Sequence, residues 1–253
     1  MYKNILITGA NSPYYESLLT LISTIHETSF DVVDQIIVYD FGLDTSEVDR
    51  LKSLQKVQVK EIDKNFPIYN TISSIKTKCH FLKMFTLFDA KSIGENVLWL
   101  DSGACVLSNL QEIYNEIEKD HIFLVGDIHL NKNYTHDLCR SIMNATESEL
   151  DDKQLWSGLV GFKSNGKHIN IINEGWEYSS VEGCIDGYVQ DHRHDQSVLS
   201  ILSSRYNIPT HDIDRYGYWT DVNRNLEKAR EINSVIFAHR RGYDNKTHLR
   251  YEN

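Results

Sequence analysis

The strongest constraint on the fold is a rhythm. Short apolar runs alternate with longer segments whose apolar residues recur at helical spacing. Ile5–Thr8, Gln35–Asp40, Val57–Ile62, Asn96–Asp101 and Ile122–Val125 read as strands. Between them, Tyr14–Glu27 carries Leu18, Leu21, Ile22 and Ile25 on one face, and Lys78–Ala90 carries Phe81, Leu82, Phe85 and Phe88. Thr45–Leu54, with Asp44 or Thr45 as its N-cap, and Leu110–Lys119 read as helices too. This order predicts an α/β fold with a parallel or mostly parallel sheet and helices on both faces.

The second half is less regular. Met143–Lys153, with Glu147, Glu149, Asp151 and Asp152, reads as an exposed acidic loop or helix end. Leu159–Phe162 and Ser234–His239 read as strands, Ile169–Trp176 and Asp195–Arg205 as helices, with a polar tail after His239. No Pro/Gly/Ser-rich linker, internal repeat or low-complexity tract divides the 253 residues, so a single domain is expected.

Charge and cysteine content exclude several classes. Twenty-six basic against 36 acidic residues leave a formal charge of −10, a field that repels polynucleotides, so no nucleic-acid polymer is expected as a partner. Cys79, Cys105, Cys139 and Cys184 are too widely spaced for a zinc knuckle or redox dithiol and read as reduced thiols. No signal peptide and no apolar run long enough to span a bilayer occur, so a cytoplasmic protein is expected, with peripheral membrane contact left open.

In open α/β sheets, ligands bind beyond the carboxyl ends of the strands. Four polar clusters fall at such ends: Thr8-Gly9-Ala10-Asn11, Asp40-Phe41-Gly42, Asp101-Ser102-Gly103 and His239-Arg240-Arg241. Each also has a local reading, the glycines as turn residues and the aspartates as caps. The opening Ile-Thr-Gly-Ala-Asn invites comparison with dinucleotide-binding loops, but Gly9 is followed by no second glycine until Gly42. None of the 14 tyrosines has a lysine four residues later, which removes the short-chain dehydrogenase reading.

Asp101-Ser102-Gly103, after the apolar Val97–Leu100, resembles the DxD region of GT-A glycosyltransferases, with Gly103 in place of the second aspartate. Trp156-Ser157-Gly158-Leu159 resembles the Asn-Ser-Gly-Val strand of family-8-like enzymes, and His194-Asp195-Gln196 their Asp-Gln helix start. Ile236–Arg241 lies where such enzymes place a C-terminal histidine. Val38–Asp44 and Cys79–Phe85 resemble segments of uncharacterised glycosyltransferase-like families. The resemblance spans residues 4 to 241.

It implies a single GT-A-like (Rossmann-like) domain over 1–253, with a nucleotide-binding half of about 1–130 and an acceptor-binding half of about 131–253. It implies transfer of a sugar from a nucleotide-sugar donor to a glycan, lipid-linked glycan or other hydroxyl acceptor, with a lean towards retention. Thr8, Gly9, Ala10 and Asp40 would face the nucleoside; Ser102, Gly103, Ser157, Gly158 and Gln196 would shape the donor pocket. Lys83, Arg240 and Arg241 would meet the phosphates. Asp101 and His239 would hold Mn²⁺ or Mg²⁺, a dependence that Gly103 puts in question; protonated, His239 would instead donate to the diphosphate. Asp195 has three readings: an N-cap, a group beside the anomeric carbon, or, if the segment is extended, a metal ligand with His192 and His194. Tyr188–His194 and Tyr216–Trp219 are candidate acceptor contacts. Two alternatives stay open: an inactive GT-A fold that binds carbohydrate or nucleotide sugar, and a nucleotidyltransferase, although residues 9 to 20 lack the Lys/Arg-bearing loop the latter prefers.

Overall fold

A computed structural model describes residues 1–72 and 74–252. Six strands, β1 (Tyr2–Asn11), β2 (Gln35–Gly42), β3 (Val57–Glu61), β4 (Gly94–Leu100), β6 (Ile122–Leu130) and β7 (Lys153–Lys163), form one sheet ordered β3-β2-β1-β4-β7-β6. The pairs around β1 are parallel, while β7 runs antiparallel to both β4 and β6. The chain is thus mostly parallel, as the sequence predicts, with one reversed strand. A second sheet of β5 (Ala104–Val106), β9 (Ile236–Ala238) and β8 (Tyr218–Trp219) stands beside it.

The near-continuous apolar strands follow from burial on both faces. Ile5 and Ile7 of β1, Ile37 and Tyr39 of β2, and Val97 and Trp99 of β4 enter one core. Their alternate neighbours Leu6, Ile36, Val38, Leu98 and Leu100 enter the other. The first core is covered by helices Ile75–Ala90, Asn170–Ser179 and Asp195–Arg205; the second by Tyr15–Thr28 and Gln111–Asp120.

Three expectations are corrected. The first strand does not stop at Thr8: it runs to Asn11, and Thr8 and Ala10 are covered by protein. A Cβ on Gly9 would lie 2.3 Å from the Phe41 ring, so this glycine is a packing site and not a turn. The acidic stretch after Met143 is not simply exposed. Glu147–Asp151 is a helix closed by a Thr146/Glu149 capping box, and Glu149 is buried against Arg205 at 2.8 Å.

The polar tail is a strap along the Tyr15–Thr28 helix. Ser17, Thr20, Ser23 and His26, three residues apart, lie on one stripe. Ser17 donates to the Arg240 carbonyl. Thr20 Oγ1, Ser23 Oγ and His26 Nδ1 accept the N–H groups of Asn245, His248 and Arg250. Because Nδ1 accepts, His26 Nε2–H donates to the Gln55 carbonyl at 2.9 Å, and the ring is neutral. Burial pushes His26 down to about 4, and likewise His239 to about 4 and His192 to about 3. The unfolded chain therefore binds protons on these rings before the folded one does. Thermal melts are expected to show stability falling from about pH 6.5 to about pH 4. The slope should be shallower in His26→Gln; an unchanged slope would remove His26 from this account.

Candidate functional site

Four elements meet at one buried ammonium. Lys83, inside the helix Ile75–Ala90, extends to the carboxyl end of β4 with its side chain only 5% exposed. Its Nζ lies 2.9 Å from Asp195 Oδ2, 3.1 Å from Asp101 Oδ1, 2.6 Å from the Ser157 carbonyl and 3.2 Å from Ser157 Oγ. Burial works against its charge, but the two carboxylates prevail and raise its pKa, so Lys83 stays protonated.

Asp195 is the deepest carboxylate, with a side chain 1% exposed. It opens the helix Asp195–Arg205, where the helix N-terminus favours an anion. Its Oδ1 lies 2.6 Å from His80 Nδ1. Burial opposes its charge, yet Lys83 and His80 hold it well below the usual carboxylate range. The preceding residue, His194, adopts φ 54°, ψ −120°, a costly backbone for a side-chain-bearing residue. Its Nδ1 lies 2.9 Å from the Ile185 carbonyl, which holds it in place. Asp101 is the outer carboxylate, half exposed, and its Oδ1 also accepts Trp99 Nε1–H at 2.7 Å.

The other predicted residues divide. Ser102 is buried beside Asp101, and Gly158 accepts the Asp101 N–H through its carbonyl at 2.9 Å. The Gly103 carbonyl accepts the Arg240 N–H at 2.7 Å, which joins the β4 end to the segment after β9. Arg241 lies over the Tyr14 ring at 4.9 Å, just past the end of β1. Arg240 and Arg241 are exposed and, among the described residues, have no carboxylate within ion-pair distance. Asp40 caps its own turn, accepting the N–H groups of Gly42 and Leu43 at 2.7 Å each. Gln196 turns instead to Gln154 at 3.0 Å, beside the Asp127–Arg193 pair. Lys83, expected as a free phosphate-binding charge, is corrected to an internal counter-ion of two carboxylates.

A divalent-cation site is not completed by these residues. A Cβ on Gly103 would sit 2.8 Å from the Arg240 carbonyl oxygen and 2.9 Å from its Cα, so a second carboxylate cannot enter without moving backbone. His239 is buried with both ring nitrogens unpartnered among the described residues and has a lone pair to give. One oxygen of Asp101, however, is already held by Lys83 and Trp99. Among the described residues no group of three His, Cys, Asp or Glu side chains could hold a metal. The expectation of a protonated His239 is also corrected, since burial pushes it down to about 4 and keeps it neutral near pH 7.

Sequence reasoning gave no role to His80. The available signal was its spacing: three residues before Lys83, it shares that helix face.

The comparisons agree with this architecture. Neither a protein-family model nor a curated protein matches the sequence. Solved structures do. The apo structure of the bifunctional glycosyltransferase WbbM superposes with a TM-score of 0.64 at 13% identity, over 96% of this chain. This chain spans 46% of WbbM. The galactosyltransferase LgtC, in complex with donor and acceptor sugar analogues, gives 0.58 at 10% identity over 95% of this chain and 88% of LgtC. Mouse xyloside xylosyltransferase 1 in its apo form gives 0.55 at 11% identity over 94% and 98%.

If Lys83 is the counter-ion of Asp195 first and Asp101 second, removal of the partners has unequal cost. Lys83→Met is expected to destabilise by about 3–5 kcal/mol, because it strands a buried carboxylate. Asp101→Asn, at a half-exposed position, should cost about 1 kcal/mol or less. Equal costs in urea denaturation would contradict this ranking. At this level of likeness the conclusion is one of fold: the chain has the GT-A fold of solved glycosyltransferases.

Proposed function

We propose that this protein is a glycosyltransferase that takes a nucleotide-sugar donor and passes the sugar to a glycan or other hydroxyl acceptor. The observation that carries the reading is the Lys83–Asp101–Asp195 cluster at the carboxyl end of β4 in a GT-A fold. Ligands of open α/β sheets bind at that rim. LgtC, of the same fold, was solved with donor and acceptor sugar analogues.

Each group then has a chemical task. The exposed Arg240 and Arg241 offer bidentate donors to a departing diphosphate. Asp101, with its second oxygen uncommitted to Lys83 and Trp99, accepts from sugar hydroxyls. Lys83 holds both carboxylates in place before the substrate arrives, so no reorganisation is needed during the reaction. The blocked position at Gly103 and the engagement of Asp101 support a reading in which cationic side chains, not Mn²⁺ or Mg²⁺, balance the diphosphate.

The missing second carboxylate also favours a second reading, a GT-A fold that binds the nucleotide sugar without turning it over. Thermal melts against UDP-, GDP- and dTDP-sugars, with EDTA or with Mn²⁺, test both. At a hundredfold excess over Kd, one nucleotide sugar should raise Tm by on the order of 5 °C, in EDTA as in Mn²⁺. A shift seen only with Mn²⁺ would overturn the metal-independent reading. Binding without donor turnover would favour the binding module. No shift with any nucleotide or nucleotide sugar would remove the transferase reading.

A further inference from the structure

We propose that His80 is the general base of the reaction, with Asp195 as the residue that positions it; this rests on the transferase reading above. The argument begins with tautomer and access. His80 Nδ1 lies 2.6 Å from Asp195 Oδ1, an ion-pair contact; a carboxylate can only accept, so a neutral ring keeps its hydrogen on Nδ1. The unprotonated nitrogen of the neutral ring is then Nε2. The ring is 30% exposed, whereas Asp195 is 1% exposed. A buried carboxylate therefore orients a partly open imidazole, the relation by which an aspartate fixes a catalytic histidine in hydrolases.

The ring is held by more than this bond. It stacks on His194 at 4.7 Å and 21°, and His194 is itself tied to the Ile185 carbonyl. Ile185 also lines a groove of about 380 Å³, together with Ile68, Ile72, Leu138, Glu182 and Asp186. His80 is thus linked to that groove through the His194 ring and the Ile185 backbone. On the other side, the same Asp195 contacts Lys83, which reaches Asp101 at the rim. His80 lies between Asp195 and the His194 ring, with Nε2 left as the nitrogen that can accept a proton.

The step balances without an external reagent. The acceptor oxygen forms a bond to the anomeric carbon while the bond from that carbon to the diphosphate oxygen breaks. The diphosphate leaves with the electron pair, and the acceptor proton passes to His80 Nε2 and then to water. With water as the acceptor, the same step is donor hydrolysis.

The groups facing His80 are Asp195 through Nδ1, His194 through the ring stack and, across Asp195, Lys83. Behind them stand His192, edge-on to His194 at 5.6 Å, and His136, stacked on His192 at 4.0 Å.

The test measures hydrolysis of the nucleotide sugar found to bind, together with its Kd, in the full chain, His80→Asn and His80→Ala. Asn can keep a donor towards Asp195 but offers no base. Both variants are expected to bind donor as the unaltered protein does and to hydrolyse it about 10²–10⁴-fold more slowly. Added imidazole should restore turnover to His80→Ala. Hydrolysis by His80→Asn at the unaltered rate would overturn the proposal, as would loss in His80→Ala that imidazole does not repair. Donor binding separates the two levels of inference: without it in the unaltered protein, the transferase reading fails and His80 with it; with it, the rates judge His80 alone.

Discussion

The Lys83 ammonium is the interaction on which the site depends. A charge this deeply buried is tolerable only when opposite charges and hydrogen-bond acceptors surround it. Here two carboxylates, one carbonyl and one hydroxyl do so. They come from the end of β4, the start of the Asp195–Arg205 helix and the middle of β7. Displacement of any of these elements would leave charge uncompensated, so the ion cluster fixes the rim to the core. It also explains why His194 can hold an unfavourable backbone conformation: the Asp195 contacts it enables are worth more than the strain.

A second constraint acts at Gly103. The segment after β9 crosses the β4 end so closely that Arg240 backbone occupies the space of a side chain. That crossing places Arg240 and Arg241 at the rim, and Ser17 and the strap along the Tyr15–Thr28 helix hold the segment down. Loss of the second carboxylate and gain of two exposed arginines are thus one structural event. The same contact that excludes an acidic ligand supplies basic ones.

Much of this was legible in the sequence, and the exceptions have physical causes. The alternation of Ile5, Leu6 and Ile7, and of Val97, Leu98 and Trp99, marks strands buried on both sides, and each settled into two cores. The reversal of β7 was not legible, because an apolar run such as Leu159–Phe162 carries no sign of direction. The strands β5 and β8, three and two residues long, are too short for a periodic signal. Thr8-Gly9-Ala10 looked like a loop because small residues also occur where a ring, here Phe41, needs room. The sequence offers Lys83 as a phosphate-binding cation and not as an internal counter-ion. A subtler sign lay around it: Phe81, Leu82, Met84 and Leu87 are all buried, and a lysine set among them has little surface to reach. Its partners, Asp101 and Asp195, are 18 and 112 residues away, a separation that no local pattern encodes.

The charge arrangement gives the site a direction. At its centre two carboxylates face one ammonium, so the formal sum of Asp101, Asp195 and Lys83 is −1. The imidazoles behind it do not alter it. His192 is pushed down to about 3, and His136, which accepts the Cys139 N–H at Nδ1, donates Nε2–H to the Asp186 carbonyl as a neutral ring. Arg240 and Arg241, outside, turn the sum positive at the exposed edge. An anionic group is therefore favoured at the edge and disfavoured at the centre, whereas a neutral polyol meets no such repulsion there. A ligand with a phosphate end and a sugar end has one favourable orientation in such a field. On the proposed reading, that orientation puts the sugar end towards the Asp101–Lys83–Asp195 cluster.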